Sequence, residues 1–333
     1  MTKNSKWRCR IWKGWAKKLD NTKKIATRES YGKTLLELGR EHEDIMVLDA
    51  DLAASTKTSV FRKEFPDRHI NCGIAESNMM GVAAGLATCG FVPFVSSFAM
   101  FATARPYEQI RNSIAYPHLN VKICASHAGL SVGEDGATHQ CIEDIALMNF
   151  MPGMTVISPS DDIEACAAVR AAYAIKGPVY MRLGRLAVPV INTDPSYKFE
   201  LGKGVKLRDG SDVTLIATGL EVAYAVEAAE MLKAAGISAS VINIHTIKPI
   251  DRDIIVSEAA KTSKIVTIEE HSTMGGLGSS VADVLCEEGT GARLLKIGVD
   301  NCFGESGPAL ELLHKFGLDA EGITASVRKW LGK

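Results

Sequence analysis

Val121-Lys122-Ile123-Cys124-Ala125-Ser126-His127-Ala128-Gly129-Leu130-Ser131-Val132-Gly133-Glu134-Asp135-Gly136-Ala137-Thr138-His139-Gln140 runs from a short apolar, β-rich segment straight into a glycine-rich loop. A brief apolar run of this kind reads as a strand buried on both faces, and the loop after it as backbone that cannot pack into a core. The neighbouring sequence repeats the pattern. Upstream, Asp44-Ile45-Met46-Val47-Leu48-Asp49 follows the amphipathic stretch Tyr31 to Glu41, and a helix-like pattern around Pro106 to Tyr116 precedes Val121. Downstream, Met154-Thr155-Val156-Ile157 and Pro178-Val179-Tyr180-Met181 keep the rhythm. Apolar strands alternating with helices predict an α/β fold with a mostly parallel sheet covered on both faces.

The pattern relaxes after Arg185 into a turn-rich stretch containing Pro189 and Pro195. A second series then begins with Val213 to Gly219, Ala239 to Ile244 and Lys264 to Glu269. We therefore expect two doubly wound domains, residues 25–190 and 203–333, joined by a linker at 191–202. The chain length of 333 residues accommodates two cores of ordinary size.

Lys and Arg total 38 against 39 Asp and Glu, so the net charge of -1 provides no general attraction to nucleic acid or an anionic membrane. No apolar run approaches the roughly 18 residues of a membrane span. Eight scattered cysteines without metal-ligand or redox spacing read as reduced thiols, which implies a cytoplasmic location. Residues 1–24 form a distinct basic extension with nine Lys or Arg and three of the four tryptophans, Trp7, Trp12 and Trp15. Wound as a helix, it would carry an apolar face suited to docking a partner chain, with a membrane-surface helix or a disordered extension as alternatives.

Chemistry concentrates in the first domain. Gly73-Ile74-Ala75-Glu76-Ser77-Asn78 reads as a tight turn opening a helix of small residues, with Glu76 in the first turn among apolar neighbours and no obvious cation nearby. Such a carboxyl has its charged form disfavoured and can hold a proton for a ligand nitrogen; a helix N-terminal acid favoured by the dipole is the plainer alternative. Phe98 and Phe101 could wall a slot for a flat heterocycle, although core packing is the plainer reading of each taken singly. In the loop, His127 and His139 can exchange protons near neutral pH, and Asp135 can accept bonds from hydroxyls.

These segments resemble the pyrimidine-binding domain of transketolase, and the similarity continues through Arg182-Leu183-Gly184-Arg185, Thr246-Ile247-Lys248-Pro249 and Glu270-His271-Ser272-Thr273-Met274-Gly275-Gly276 into the transketolase carboxy-terminal domain. The resemblance covers residues 25–333. It implies a transferase of carbohydrate metabolism that moves a two-carbon ketol unit from a ketose phosphate to an aldose phosphate with thiamine diphosphate. In that reading Glu76 activates the cofactor by protonating its aminopyrimidine, Phe98 and Phe101 hold the pyrimidine, and Asp51 lies near it. His127, Asp135 and His139 meet substrate oxygens, with His139 also assisting proton transfer, and Arg28, Ser55 and Arg185 meet the substrate phosphate. Two positions depart from the family pattern: Ala104 stands where relatives carry a third aromatic, and Ala137 where a proline is usual.

Transketolases hold the cofactor's diphosphate and Mg2+ through a Gly-Asp-Gly segment in an amino-terminal domain, and no Gly-Asp-Gly occurs here. The chain therefore resembles the carboxy-terminal subunit of a split transketolase. It is expected to work only with an amino-terminal subunit that supplies the diphosphate and Mg2+ site, in an α2β2 assembly. Three rival readings stand: the β subunit of a thiamine-dependent 2-oxoacid dehydrogenase, a non-catalytic assembly subunit, and a nicotinamide oxidoreductase suggested by Gly275-Gly276-Leu277-Gly278 after a strand.

Overall fold

A computed structural model of the chain describes residues 23–194 and 196–333. The docking helix expected within residues 1–24 falls, for residues 1–22, outside the described residues.

The first unit opens with β1 (Lys24–Ala26) and α1 (Thr27–Glu41). It continues through β2 (Ile45–Asp49), β3 (His69–Asn71), α2 (Glu76–Thr88), β4 (Val92–Ser96), α3 (Ala99–Thr103), β5 (Lys122–Ala125), β6 (Thr155–Ile157), α4 (Asp162–Ala174) and β7 (Val179–Arg182). β8 (Ala187–Pro189) then returns antiparallel to β1. Alternation within β2 decides the layering. Ile45 and Val47 pack with Tyr31, Leu35 and Leu38 of α1 and with Ala168 and Val169 of α4, whereas Leu48 joins Met79, Met80 and Ala83 of α2 on the opposite face. Both faces are thus covered, as parallel strands require.

The second unit comprises β9 (Val205–Arg208), β10 (Val213–Ala217), α5 (Glu221–Ala234), β11 (Ala239–Asn243), β12 (Thr246–Lys248), α6 (Arg252–Thr262), β13 (Lys264–Ser272), α7 (Leu277–Glu287), β14 (Arg293–Val299), α8 (Ala309–Lys315) and α9 (Ala320–Leu331). Among the described residues its sheet has the order β14-β13-β10-β11-β9, parallel except for β9. The doubly wound α/β expectation holds for both units. No helix among the described residues is long and apolar enough to cross a membrane.

Two features depart from the sequence reading. The segment around Pro106 to Tyr116, expected as one helix, is a short α-turn at Tyr107–Gln109 that widens into a π-helical turn over Ile110–Ala115. And β12, although it follows β11 directly, does not join the second sheet. It pairs antiparallel with β6, so the first sheet has the order β12-β6-β7-β5-β4-β2-β3. Lys248 fastens this edge by donating from Nζ to the carbonyls of Asn149 and Met151 at 2.7 and 2.6 Å. The apolar core follows the same path, since Ile216, Ile242, Ile247 and Ile255 of the second unit cluster with Val156 and Met154 of the first.

The seam also carries polar ties. Asp161 caps α4 by accepting from the Glu164 amide at 2.9 Å, while its other oxygen takes the amides of Ile191 and Asn192 at 2.8 Å each. Glu164 accepts from the Ser160 amide at 2.7 Å, Tyr197 Oη at 2.7 Å and Asn243 Nδ2 at 2.8 Å, joining three parts of the chain at one buried carboxyl. Burial raises its pKa to about 7 in spite of these donors. Tyr197→Phe strips one donor from a fully buried carboxyl. It is expected to lower the unfolding free energy by about 1–3 kcal/mol in urea titration.

Gly275 to Gly278 makes the compact turn between β13 and α7. The amides of Leu277 and Gly278, which a dinucleotide phosphate would need, both donate at 2.7 Å to the buried Glu269 carboxylate. A Cβ on Gly276 would come within 2.1 Å of that carboxylate. The protein's own anion fills the helix N-terminus, so the nicotinamide reading is set aside.

Candidate functional site

The candidate residues emerge at the carboxyl ends of the parallel strands, the edge where open α/β sheets bind ligands. Asp51 follows β2, Glu76 follows β3, Phe98 follows β4, His127 follows β5 and Arg185 follows β7. Arg28 enters the same edge from the start of α1.

Glu76 is the first residue of α2 and, with Met79, Met80, Ala83 and Ala84, belongs to its buried face. The turn before it requires Gly73, whose φ of 70° suits a residue without a side chain. The carboxyl is buried as expected, but the expectation that no cation lies nearby is corrected. Arg105 Nη1 donates to both oxygens at 2.9 and 3.0 Å, and its guanidinium carbon lies 4.0 Å from the centre of the Phe101 ring. Arg105 stands four positions after Phe101, the spacing that brings side chains together across a helical turn, and that spacing was the available signal.

The rings converge. A bridge between Phe98 and Ser126, with the Ala99 amide donating to the Ser126 carbonyl at 2.7 Å, sets β4 and β5 side by side where the loop departs. Phe98 stacks on His127 at 3.8 Å and lies 6.0 Å from Phe101, while His139 meets Phe101 edge-on at 5.1 Å. Together these rings form an aromatic wall beside Glu76, edged by two imidazoles.

His127 adopts φ 57°, a left-handed conformation that costs a residue with a side chain on the order of 1 kcal/mol. The surrounding bonds account for its persistence. Arg28 Nη1, always a donor, lies 3.2 Å from Nε2, which leaves the proton on Nδ1 to be donated to Ser126 Oγ at 2.9 Å. Burial, reinforced by Arg28 and Arg185, lowers the imidazole pKa to about 3. His127 is therefore a neutral hydrogen-bonding group of defined tautomer.

A stability consequence follows. The unfolded chain takes up a proton at this ring near 6.5 and the folded chain only near 3. The contribution of the buried neutral ring is thus complete above 6.5 and is lost as pH falls towards 3. In urea unfolding, His127→Asn is expected to lose less stability than wild type when the pH is lowered from about 8 to about 5.

Two arginines line an open cleft of about 550 Å³ with Ser131 and Glu134 and, from the second unit, Pro308 to Glu311. Arg185 is held by the Val132 carbonyl at 2.6 Å and Glu134 at 2.9 Å. Arg28 donates to Ser55 at 2.9 Å, but to the backbone carbonyl, so Ser55 enters by its main chain. Burial chiefly, and Arg185 more weakly, lowers the Arg28 pKa, as expected of cations gathered to face an anion. Asp51 is exposed, in left-handed conformation with φ 64°, and bonds Asn71 Nδ2 at 3.0 Å. Asp135 is exposed at the loop tip, and His139 bonds Thr138 Oγ1 at 2.9 Å. Phe101, Phe98, His139, His127 and Arg28 are thus linked by direct contacts, Glu76 joins them through Arg105, Arg185 shares the cleft of Arg28, and Asp51 and Asp135 stand outside that contact network.

Beneath the loop lies a charged group that sequence reasoning did not assign. Arg182, at the end of β7, donates from Nε to Asp144 at 2.9 Å and from Nη2 to the Glu270 carbonyl at 3.0 Å. Tyr180 adds a 2.6 Å bond to Asp144. The Glu270 carboxylate in turn receives the amide and hydroxyl of Ser131 at 3.0 and 3.1 Å. Gly129, with φ 79°, is required there because a Cβ would come within 2.3 Å of Glu270. The second unit therefore holds the base of the loop that carries His127 and His139.

Comparison with known proteins agrees with this architecture. The family model described as transketolase, pyrimidine binding domain, matches residues 23–190, and the model for the transketolase C-terminal domain matches 202–323. A Methanocaldococcus jannaschii protein provisionally named a transketolase C-terminal section is 51% identical over 92% of this chain and 96% of its own length. Human transketolase is 39% identical over 93% of this chain but only 50% of its own length. A solved split-gene transketolase, described as an inactive β4 tetramer, superposes with a TM-score of 0.84 at 54% identity, covering 92% of this chain and 98% of that one. Carrying the two matched domains in that order, the chain belongs to the transketolase family.

Proposed function

We propose that this chain supplies the pyrimidine-side half of a thiamine diphosphate site in a two-chain transketolase. A partner chain contributes the diphosphate and Mg2+ site, and the pair transfers a two-carbon ketol unit between sugar phosphates. Transketolases depend on thiamine diphosphate and a divalent metal. The observation that carries the reading is the buried Glu76 beside the Phe98 and Phe101 wall, with the Arg28 and Arg185 cleft on the same sheet edge. That set fits an aminopyrimidine: a carboxyl for a ring nitrogen, flat apolar faces for the heterocycle, and cations set apart for a substrate anion.

When bound, thiamine diphosphate supplies the carbanion chemistry that a protein side chain cannot. The residues of this chain bind, orient and move protons. Glu76 holds a proton for the pyrimidine nitrogen, and Phe98 and Phe101 exclude water from the ring faces. His127, kept neutral by burial, and His139 exchange hydrogen bonds with donor hydroxyls, with His139, less buried, the one placed to shuttle a proton; Asp135 reaches the same substrate from the loop tip and Asp51 approaches the cofactor. The Arg28 and Arg185 guanidiniums, with Ser55 behind them, bind the tail oxyanion. Two relatives bracket the sugar class: a 6-deoxy-6-sulfo-D-fructose transketolase subunit from a Clostridium species at 43% identity, and one chain of an apulose-4-phosphate transketolase from Phocaeicola vulgatus at 39%. Sulfonate and phosphate are both tetrahedral oxyanions that a guanidinium pair can hold.

The test combines this chain with its partner, thiamine diphosphate and Mg2+, and supplies a ketose phosphate and an aldose phosphate. Turnover is expected only from the α2β2 mixture, with neither chain active alone. Turnover of a 2-oxoacid with a lipoyl carrier instead, or activity unchanged when thiamine diphosphate is omitted, overturns the reading.

A further inference from the structure

Arg105 occupies the two surfaces that the proposed function reserves for the pyrimidine. One guanidinium nitrogen, Nη1, satisfies both Glu76 oxygens at 2.9 and 3.0 Å, and the guanidinium carbon sits over the Phe101 ring, 4.0 Å from its centre. Among the described residues the guanidinium makes no other hydrogen bond. A planar cation that pairs with the carboxyl and stacks on the aromatic ring does at once what a protonated or hydrogen-bonding heterocycle would do there.

The two partners are unequally held. The Glu76 side chain is 4% exposed and anchored at the start of α2, whereas that of Arg105 is 48% exposed, on a long flexible stem in the turn after α3. Freed from Glu76, the guanidinium can be rehydrated at little cost. The carboxylate cannot, since an unpaired buried charge is expensive. Any occupant of the pocket must therefore replace the arginine as the partner of Glu76, and it is the arginine that leaves.

Resting on the thiamine reading above, we infer that Arg105 is an internal stand-in for the cofactor's pyrimidine. It keeps Glu76 paired and Phe101 covered in the unloaded subunit, and the cofactor displaces it on binding. Arg105 thus sets the affinity threshold of the site through competition for Glu76.

Calorimetric titration of thiamine diphosphate with Mg2+ into the assembled two-chain complex tests this, comparing wild type, Arg105→Met, Glu76→Gln and the double variant. Losing both the ion pair and the cation–π contact, Arg105→Met is expected to tighten binding about tenfold. In the Glu76→Gln background, where the charge pair is already absent, the same substitution is expected to gain less than about threefold. Unchanged or weaker binding by Arg105→Met, or an equal gain in both backgrounds, overturns the stand-in role while leaving the thiamine site intact. Failure of every form to bind thiamine diphosphate overturns both.

Discussion

Glu76→Gln in the assembled enzyme is expected to cut turnover by about 10³-fold while the chain still folds and assembles, because a positioned proton donor typically contributes 10²–10⁴ in rate. Glutamine keeps the shape and can still hydrogen-bond a ring nitrogen, but it cannot deliver a carboxyl proton. Folding should survive, since the substitution takes place at the first residue of α2 and leaves Met79, Met80 and Ala83 seated in the core. Steady-state kinetics alongside sedimentation of the complex separates the outcomes. Activity within tenfold of wild type, in a complex of normal mass, would remove Glu76 from its assigned role.

The largest stability effect is expected at Arg182. Its guanidinium is nearly buried between Asp144 and Glu270, each with an almost fully buried side chain. Arg182→Met leaves both acids without their cation, a loss of about 3–5 kcal/mol by analogy with broken buried pairs. The deficit should depend on pH. Burial already raises the Glu270 pKa, and Arg182 opposes that rise. Glu221 nearby, whose oxygens have no hydrogen-bond partner among the described residues, is raised well above the ordinary value by burial and by Glu270. Without the arginine the folded protein binds protons more tightly than the unfolded chain, so stability falls as pH rises. Urea unfolding should therefore show a greater loss near pH 8 than near pH 5, and a loss below about 1 kcal/mol near pH 8 would refute the account.

Features encoded locally were legible in the sequence. Val47 and Leu48, or Ile123 and Cys124, declare buried strands because a strand covered on both faces has no polar alternation to disguise it. Glu76 is recognisable because an acid after a glycine turn and before small residues can only open a helix. Contacts that depend on distant pairing were not legible. β12 is three residues long, and its partner β6 lies about 90 positions earlier, so no period marks it. Arg105 was passed over because Glu76 was judged by its chain neighbours, whereas its cation arrives through the fold. The Arg28 contact at Ser55 was illegible for a related reason, since a sequence motif does not reveal that the main-chain carbonyl accepts from the guanidinium. Arg182 sits within the Arg182-Leu183-Gly184-Arg185 segment, yet only the folded seam shows that it faces inward and Arg185 outward.

The crossing of β12 has a practical corollary for anyone cutting the molecule apart. A fragment stopping in the 191–202 connection would bare the backbone donors and acceptors of β6, inviting edge-to-edge aggregation, while the complementary fragment would carry an orphaned strand. Protease nicking, domain grafting and truncation should accordingly treat residues 23–333 as a single indivisible module, even though family matching divides it in two.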